Sequence, residues 1–298
     1  MTTRESCIPA QSQMGNSVCP ICRRSLSRGL TSWHEACDTC AYESAALIPN
    51  INLESAHAHI DEISRKSGLM KLRISNFDKL INEIRFLKGK GALLEIGCAH
   101  GWFLERAQSF FDVYGIEPDQ NIYAGTCMKG LNVRLGYFPD VLKTDEVFDV
   151  IVFNDVLEHI RDVDGVLSAC HRHLSDKGLL VINLPNSKGV FYQVSKLLCK
   201  LSLTSFFERL WQKELPSPHV HYFNSANLTR LLGSHDLVVR KTGWLSTVDA
   251  SGLYSRIAYT GSGNVVRNLA VCLGVILLLP ILSILPSDIV YLIAEKKE

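Results

Sequence analysis

The stretch Leu93-Leu94-Glu95-Ile96-Gly97-Cys98-Ala99-His100-Gly101 constrains this chain more than any other. An apolar run ends in an acid and turns through two glycines. Amphipathic, helix-forming sequence follows from Trp102 to Phe110. The pattern predicts a strand, a tight turn and a helix start, in which backbone N–H groups lie open to a ligand. A second acid, Glu117, closes the next apolar run, Val113-Tyr114-Gly115-Ile116, twenty residues after Gly97. An acid at the end of a second strand is placed to hydrogen-bond a ribose diol, as in dinucleotide folds. The turn lacks G-x-G-x-x-G spacing, which disfavours nicotinamide binding.

Three motifs carry a family resemblance: Leu-Glu-Ile-Gly-Cys-Ala-His-Gly (94–101), Gly-Ile-Glu-Pro-Asp (115–119) and Phe-Asp-Val-Ile-Val-Phe-Asn-Asp-Val-Leu-Glu-His (148–159). The chain resembles a class I S-adenosylmethionine-dependent methyltransferase, well over residues 70–185 and more loosely to the C-terminus. The resemblance implies an α/β fold: a doubly wound, seven-stranded, mostly parallel Rossmann-like sheet. Its strand order would be three-two-one-four-five-seven-six, with strand seven antiparallel. It implies S-adenosylmethionine as cofactor. Glu95, Gly97, Ala99 and Gly101 would hold its amino-acid end, Glu117 its ribose, and Asn154 and Asp155 would lie beside its methionine part. Ala99 replaces the family's usual middle glycine and is expected to be tolerated. The adenine contact is open between Phe138, Asp140 and a backbone group, and Phe138 reads equally as a core aromatic.

Composition limits the remainder. The 298 residues allow one large domain and a small appendage, and 47% hydrophobic residues suffice for a packed core. A net charge of +1 gives no field for nucleic acid. Of ten cysteines, four form two C-x-x-C pairs, Cys19/Cys22 and Cys37/Cys40, fourteen residues apart. Such knuckles supply the four thiolates of a structural zinc site, and a redox dithiol is the alternative. Residues 1–16 are polar and read as a disordered leader without a secretory signal, so the expected location is the cytoplasm. The expected organisation is a zinc module over 17–45, a helical linker over 46–90 and a methyltransferase domain over 91–298. Some sugar methyltransferases resemble this layout.

Strands are expected at 92–98, 113–117, 133–138, 148–154, 179–184, 237–245 and 288–294, with helices at 163–175 and 225–232. Asp155 is placed to cap a helix. His159 is the candidate general base, with packing as the competing reading. Residues 187–218 read as a lid over the ligand edge. His219, His221 and Tyr222 are acceptor-pocket candidates. The apolar segment 265–287 reads as an interfacial membrane helix, a cover for the active-site mouth, a buried helix or a homodimer contact. The expected reaction is methyl transfer to a sugar or lipid-linked glycan hydroxyl, at the inner face of the membrane if that segment docks there. The alternatives are C-methylation of a deoxysugar or other small molecule, and a non-catalytic zinc-containing interaction protein.

Overall fold

A computed structural model describes residues 18–48, 62–248 and 265–297, together with Leu253, Tyr254 and Ile257. The leader over 1–16 and the start of the linker lie outside the described residues.

The main sheet holds seven strands. In chain order they are β4 (Ala92–Ile96), β5 (Asp112–Glu117), β6 (Val133–Leu135), β7 (Phe148–Asn154), β8 (Leu174–Pro185), β10 (Leu237–Leu245) and β11 (Ile289–Lys296). Their spatial order is β10-β11-β8-β7-β4-β5-β6, with β11 antiparallel to both neighbours. This is the order the family resemblance implied. Central strands β4 and β7 are buried on both faces, which is why they read as continuous apolar runs. Leu94, Ile151 and Phe153 face one core cluster, and Leu93, Val150 and Val152 the other.

Helix α1 (Glu62–Leu87) lays Phe77, Leu80, Ile81 and Ile84 on the second cluster, while Leu87 is exposed. Helices α2 (Trp102–Ala107), α3 (Gln120–Cys127) and α4 (Val163–His173) connect the strands, and α7 (Ser225–Gly233) precedes β10. A capping box formed by Asn224 and Asn227 starts α7. Asp155 does not cap a helix. The segment after β7 makes only one 3-10 turn, Leu157–His159, and Asp162 caps α4 by accepting from the Gly165 N–H.

The cysteine-bearing segment is not a free appendage. Its strands β1 (Ser27–Arg28), β2 (His34–Ala36) and β3 (Glu43–Ala45) form a small antiparallel sheet. The fourth strand of that sheet, β9 (His221–Tyr222), comes from the domain of the main sheet and pairs Tyr222 with Glu43 and His221 with Ser44. The insertion expected as a lid supports this junction. Its helices α5 (Val190–Lys200) and α6 (Ser205–Leu210) bring Tyr192, Phe207 and Trp211 into one cluster with Trp33, Leu30 and Ala45. Trp33 stacks on Phe207 at 5.7 Å between ring centroids.

Glu43 ties the junction together. Buried to 5% exposure, it accepts hydrogen bonds from Tyr192 Oη at 2.8 Å and Lys196 Nζ at 2.7 Å, and pairs with His34 Nε2 at 2.9 Å. Burial would raise its pKa, but the His34 hydrogen bond and the Lys196 charge outweigh burial and hold it below the usual carboxylate range. A depressed carboxylate pKa stabilises the fold above the unfolded-state value and loses that contribution as pH falls through the folded value. Replacing Glu43 by Ala leaves the buried His34 Nε2 and Tyr192 hydroxyl without their partner and Lys196 without its ion pair, and is expected to cost about 3 kcal/mol at neutral pH. Urea denaturation of the variant and parent should show this gap narrowing as the pH drops below the carboxylate range.

Candidate functional site

The site lies at the C-terminal ends of β4, β5, β7 and β8. The turn after β4 passes through three left-handed residues: Gly97 (φ +64°), Ala99 (φ +45°) and Gly101 (φ +73°). A Cβ on Gly97 would sit 2.8 Å from the Val156 side chain, and one on Gly101 would sit 2.5 Å from Leu131, so both glycines are required by crowding and by φ. Ala99 holds its strained φ because both of its peptide groups are fixed. Its N–H donates to Glu117 Oε2 at 2.8 Å, and its carbonyl accepts from Thr126 Oγ1 at 2.7 Å.

Glu117 also accepts from the Asp119 N–H through Oε1 at 2.9 Å. Each oxygen therefore keeps one lone pair, which suits a pair of vicinal hydroxyls. Burial raises its pKa against these two N–H bonds.

Glu95 is more deeply placed. Its Oε1 accepts from Asn154 Nδ2 at 2.6 Å, and Asn154 Oδ1 accepts from Asn183 Nδ2 at 2.6 Å. Its Oε2 is buried without a partner. Burial, opposed by the Asn154 bond and reinforced by the Glu117 charge, pushes this carboxyl up to about 8. A buried orphaned oxygen of this kind calls for a donor, and a cationic one would restore the carboxylate.

Asp155 follows at φ +55°, its N–H bonded to the Asn183 carbonyl, with Arg73 of α1 at 3.6 Å from its carboxylate. The sequence reading assigned no site residue to α1. Arg73 and Asn183 were missed because no motif marks either one, and only the sheet and α1 packing bring them to Glu95 and Asp155.

Phe138 is half-buried, edge-on to Phe153 and His173, so it holds the loop after β6 to the core. This geometry matches the core-aromatic reading of Phe138 rather than an open stacking face.

The 3-10 turn after β7 presents a neutral, desolvated wall. The Pro218 carbonyl accepts from His159 Nδ1 at 2.9 Å, which fixes the tautomer and leaves the Nε2 lone pair available. Burial lowers the His159 pKa. Glu158, fully buried with both oxygens unpartnered, is raised well above the usual range by burial and by the Asp155 charge. His219 stacks edge-on to His159 at 4.8 Å, and its Nε2 accepts from Gln212 Nε2. Burial and the neighbouring His159 push its pKa well down. Glu158, His159 and His219 each place a ligand-type atom within 4.8 Å of the others.

The other two acceptor candidates are structural. His221 donates from Nε2 to the Ile160 carbonyl and accepts at Nδ1 from the Tyr42 hydroxyl, so both of its nitrogens are occupied. Tyr222 is buried, stacks on Tyr192 at 4.1 Å and donates to the Leu210 carbonyl. Pairing with β3 turns both residues into the module junction, away from the role expected of them.

The four cysteines converge as expected. Sulfur separations are 3.3 Å for Cys19–Cys40, 3.4 Å for Cys22–Cys37, 3.3 Å for Cys37–Cys40 and 3.9 Å for Cys22–Cys40. None is a disulfide, and a tetrahedron with metal–sulfur bonds of about 2.3 Å has edges of about 3.8 Å. Burial opposes ionisation of Cys37, yet hydrogen bonds from the Cys40 N–H, the Cys40 thiol and the Thr39 N–H bring it down to about 7.

A doubly wound sheet with this strand order, glycine turn and acid pair defines a Rossmann-like methyltransferase fold. Residues 70–242, more than half of the chain, match the family model described as a methyltransferase domain, and the chain belongs to that family. The human mitochondrial ubiquinone biosynthesis O-methyltransferase is 31% identical over 111 residues, covering 34% of this chain and 30% of the relative. The ubiquinone biosynthesis O-methyltransferase of Rickettsia akari is 22% identical over 155 residues, covering 50% and 59%. The chain thus spans about a third to three-fifths of the length of these curated relatives. A solved S-adenosylmethionine-dependent methyltransferase from Archaeoglobus fulgidus covers 80% of this chain and all of its own, with TM-score 0.53 and 17% identity, a likeness of fold.

The donor set fits S-adenosylmethionine. The unpartnered Glu95 oxygen suits its ammonium, Arg73 its carboxylate, and Glu117 its ribose hydroxyls. Between the unfolded carboxylate pKa of about 4.3 and the folded value near 8, the unfolded chain ionises Glu95 while the folded one keeps it protonated. Cofactor-free stability therefore falls as pH rises through that window. Glu95→Gln is expected to flatten this fall in thermal melts from pH 5 to 8, and to weaken cofactor binding by calorimetry about tenfold or more.

Proposed function

We propose that this protein transfers the methyl group of S-adenosylmethionine to a hydroxyl oxygen of a small or lipid-linked acceptor, with His159 as the proton acceptor. The observation that carries the reading is the fixed tautomer of His159. Its Nδ1–H is held by the Pro218 carbonyl, so the basic Nε2 faces away from that bond at the end of β7.

The bound cofactor supplies an electrophilic methyl on a sulfonium, already an excellent leaving group. The chain has to align the acceptor oxygen with that methyl, exclude water and remove one proton. Glu95, Arg73 and Glu117 would hold the amino-acid end and the ribose of the cofactor. Glu158 and His219, both neutral, line the wall without competing for the proton. The acceptor O–H proton passes to His159 Nε2 as the new carbon–oxygen bond forms, the methyl–sulfur bond breaking with its electron pair left on a neutral thioether.

An oxygen acceptor is supported by the curated relatives, whose names describe O-methyltransferases of ubiquinone biosynthesis. The sugar or lipid-linked glycan acceptor rests on the cysteine module alone, and its discriminating test is a screen of glycans against phenols. The four thiols are assigned to one structural Zn²⁺, since four sulfurs saturate a tetrahedron and leave no open position. Through β9 that ion would brace the Pro218–Tyr222 segment that carries the His159 partner.

His159→Gln is expected to lower kcat about 10²-fold with cofactor affinity unchanged. Because burial lowers its pKa, the acid limb of kcat/KM should break below the ordinary imidazole value of about 6.5. An unchanged turnover, or a limb that persists in the variant, would remove His159 from the mechanism. Purified protein should carry one zinc by elemental analysis. Chelation, or Cys22→Ala with Cys40→Ala, should abolish it and raise hydrogen exchange over 18–48 and 219–223 together. Exchange rising over 18–48 alone would disprove the bracing role.

A further inference from the structure

Two neighbouring helices keep apolar surface that the described residues leave uncovered. Helix α8 (Val265–Ile284) has 20 residues, about 30 Å of length, and no charge lies between Asn268 and Ser287. It is long and apolar enough to cross a membrane by length and composition. Only a narrow seam turns inward, led by buried Asn268 and Cys272. The remaining faces are exposed among the described residues, with Leu273, Leu277 and Ile284 at 59%, 69% and 79%. A core helix would have these faces covered, and a helix packed on one partner protein would need only a single apolar face.

The path of the chain says where this surface lies. Leu245 ends β10 opposite Ile289, where β11 begins, and Thr247 Oγ1 meets Ser287 Oγ at 2.8 Å. The excursion over 246–288 therefore leaves and rejoins the sheet at one edge. That edge is the one holding Glu95, Asn154 and His159, because Ile289 also registers with Pro185 at the end of β8. A full crossing would require 246–264 to cross back, and that stretch carries Asp249 and Arg256 among many Ser, Thr and Gly residues. Connectivity thus favours a helix embedded from one side.

Helix α5 starts at the same root. Its Phe191 and Tyr192 N–H groups donate to Asp288, and the Val190 N–H donates to the Pro286 carbonyl. Its outer row of Val194, Leu197 and Leu201 is exposed, Lys188 and Lys200 are exposed beside it, and α5 contains no acid. An apolar row flanked by lysines complements an anionic lipid surface. A two-fold contact through the same surface would instead gather the lysines of both copies.

We propose that α8 and the outer row of α5 seat this protein on an anionic phospholipid bilayer, with α8 embedded in the facing leaflet. The ligand edge then opens onto the lipid, and the acceptor is a hydroxyl carried by a membrane-borne molecule. That last clause rests on the methyl transfer proposed above, whereas the docking does not.

The test is flotation of the full chain with vesicles of phosphatidylcholine alone and with phosphatidylglycerol added, alongside cofactor calorimetry on the same samples. The wild type should float with the anionic vesicles. The double variant Leu273→Glu, Leu277→Glu should lose at least about tenfold in bound fraction, with melting temperature and cofactor affinity retained. Lys188→Gln and Lys200→Gln should each weaken binding about fivefold at low salt, and the effect should vanish at high salt. A wild type that stays in solution without detergent and does not float overturns the docking, as does a detergent-free dimer that the glutamate variant dissociates. Flotation with no cofactor binding would overturn the methyl-transfer reading and leave the docking standing.

Discussion

The ligand edge depends on one buried acid. Glu95 ends the central strand β4, where strands on either side exclude water from it. Asn154 of β7 satisfies one oxygen, and Asn183 of β8 in turn orients Asn154. This chain of amides crosses three adjacent parallel strands and fixes the register of their C-terminal ends, where Asn154 pairs with Asn183. The second oxygen is buried without a protein partner. An unpartnered buried polar atom costs free energy in the empty state, and a cationic donor that supplies the missing bond recovers it. A cationic ligand bound there would couple occupancy to the protonation of Glu95, whose pKa burial has raised.

The same reasoning links the cysteine segment to the chemistry. A sheet of two- and three-residue strands cannot bury enough surface to stand alone. Here it borrows β9 and a cluster of aromatic residues from the catalytic domain, and it returns a constraint. The Tyr42 hydroxyl bonds His221, His221 bonds the Ile160 carbonyl, and Val220 N–H bonds the Glu158 carbonyl. These contacts hold the segment Pro218–Tyr222 against the turn that carries His159, so the geometry of His159 and the integrity of the module are one structural unit.

Much of the fold was legible in the sequence. The apolar runs of β4, β5 and β7, the acids that end β4 and β5, and the glycines whose φ is positive follow from local rules: sidedness, turn sterics and strand burial. These rules act between residues close in the chain, so Glu95, Gly97, Gly101 and Glu117 could be placed without coordinates. The convergence of Cys19, Cys22, Cys37 and Cys40 was legible for the same reason, since each pair forms its own short turn. What holds Ala99 at its positive φ, a peptide fixed on both sides by Glu117 and Thr126, was not readable in the sequence.

Tertiary structure decided the rest, because the deciding interactions join residues far apart in sequence. Arg73 reaches the site only because α1 packs beside β4. His221 and Tyr222 look like pocket residues in the sequence, yet pairing with Glu43 and Ser44, about 180 positions earlier, makes them structural. The insertion over 187–218 carries helical spacing that cannot say what it covers, and its aromatic residues meet Trp33 across a similar separation. An apolar run such as 265–284 has the same composition whether it is buried or bare. Only the path from β10 to β11 shows that it starts from the ligand edge and stands uncovered among the described residues, because burial is a property of the neighbours a residue acquires and not of the residue itself.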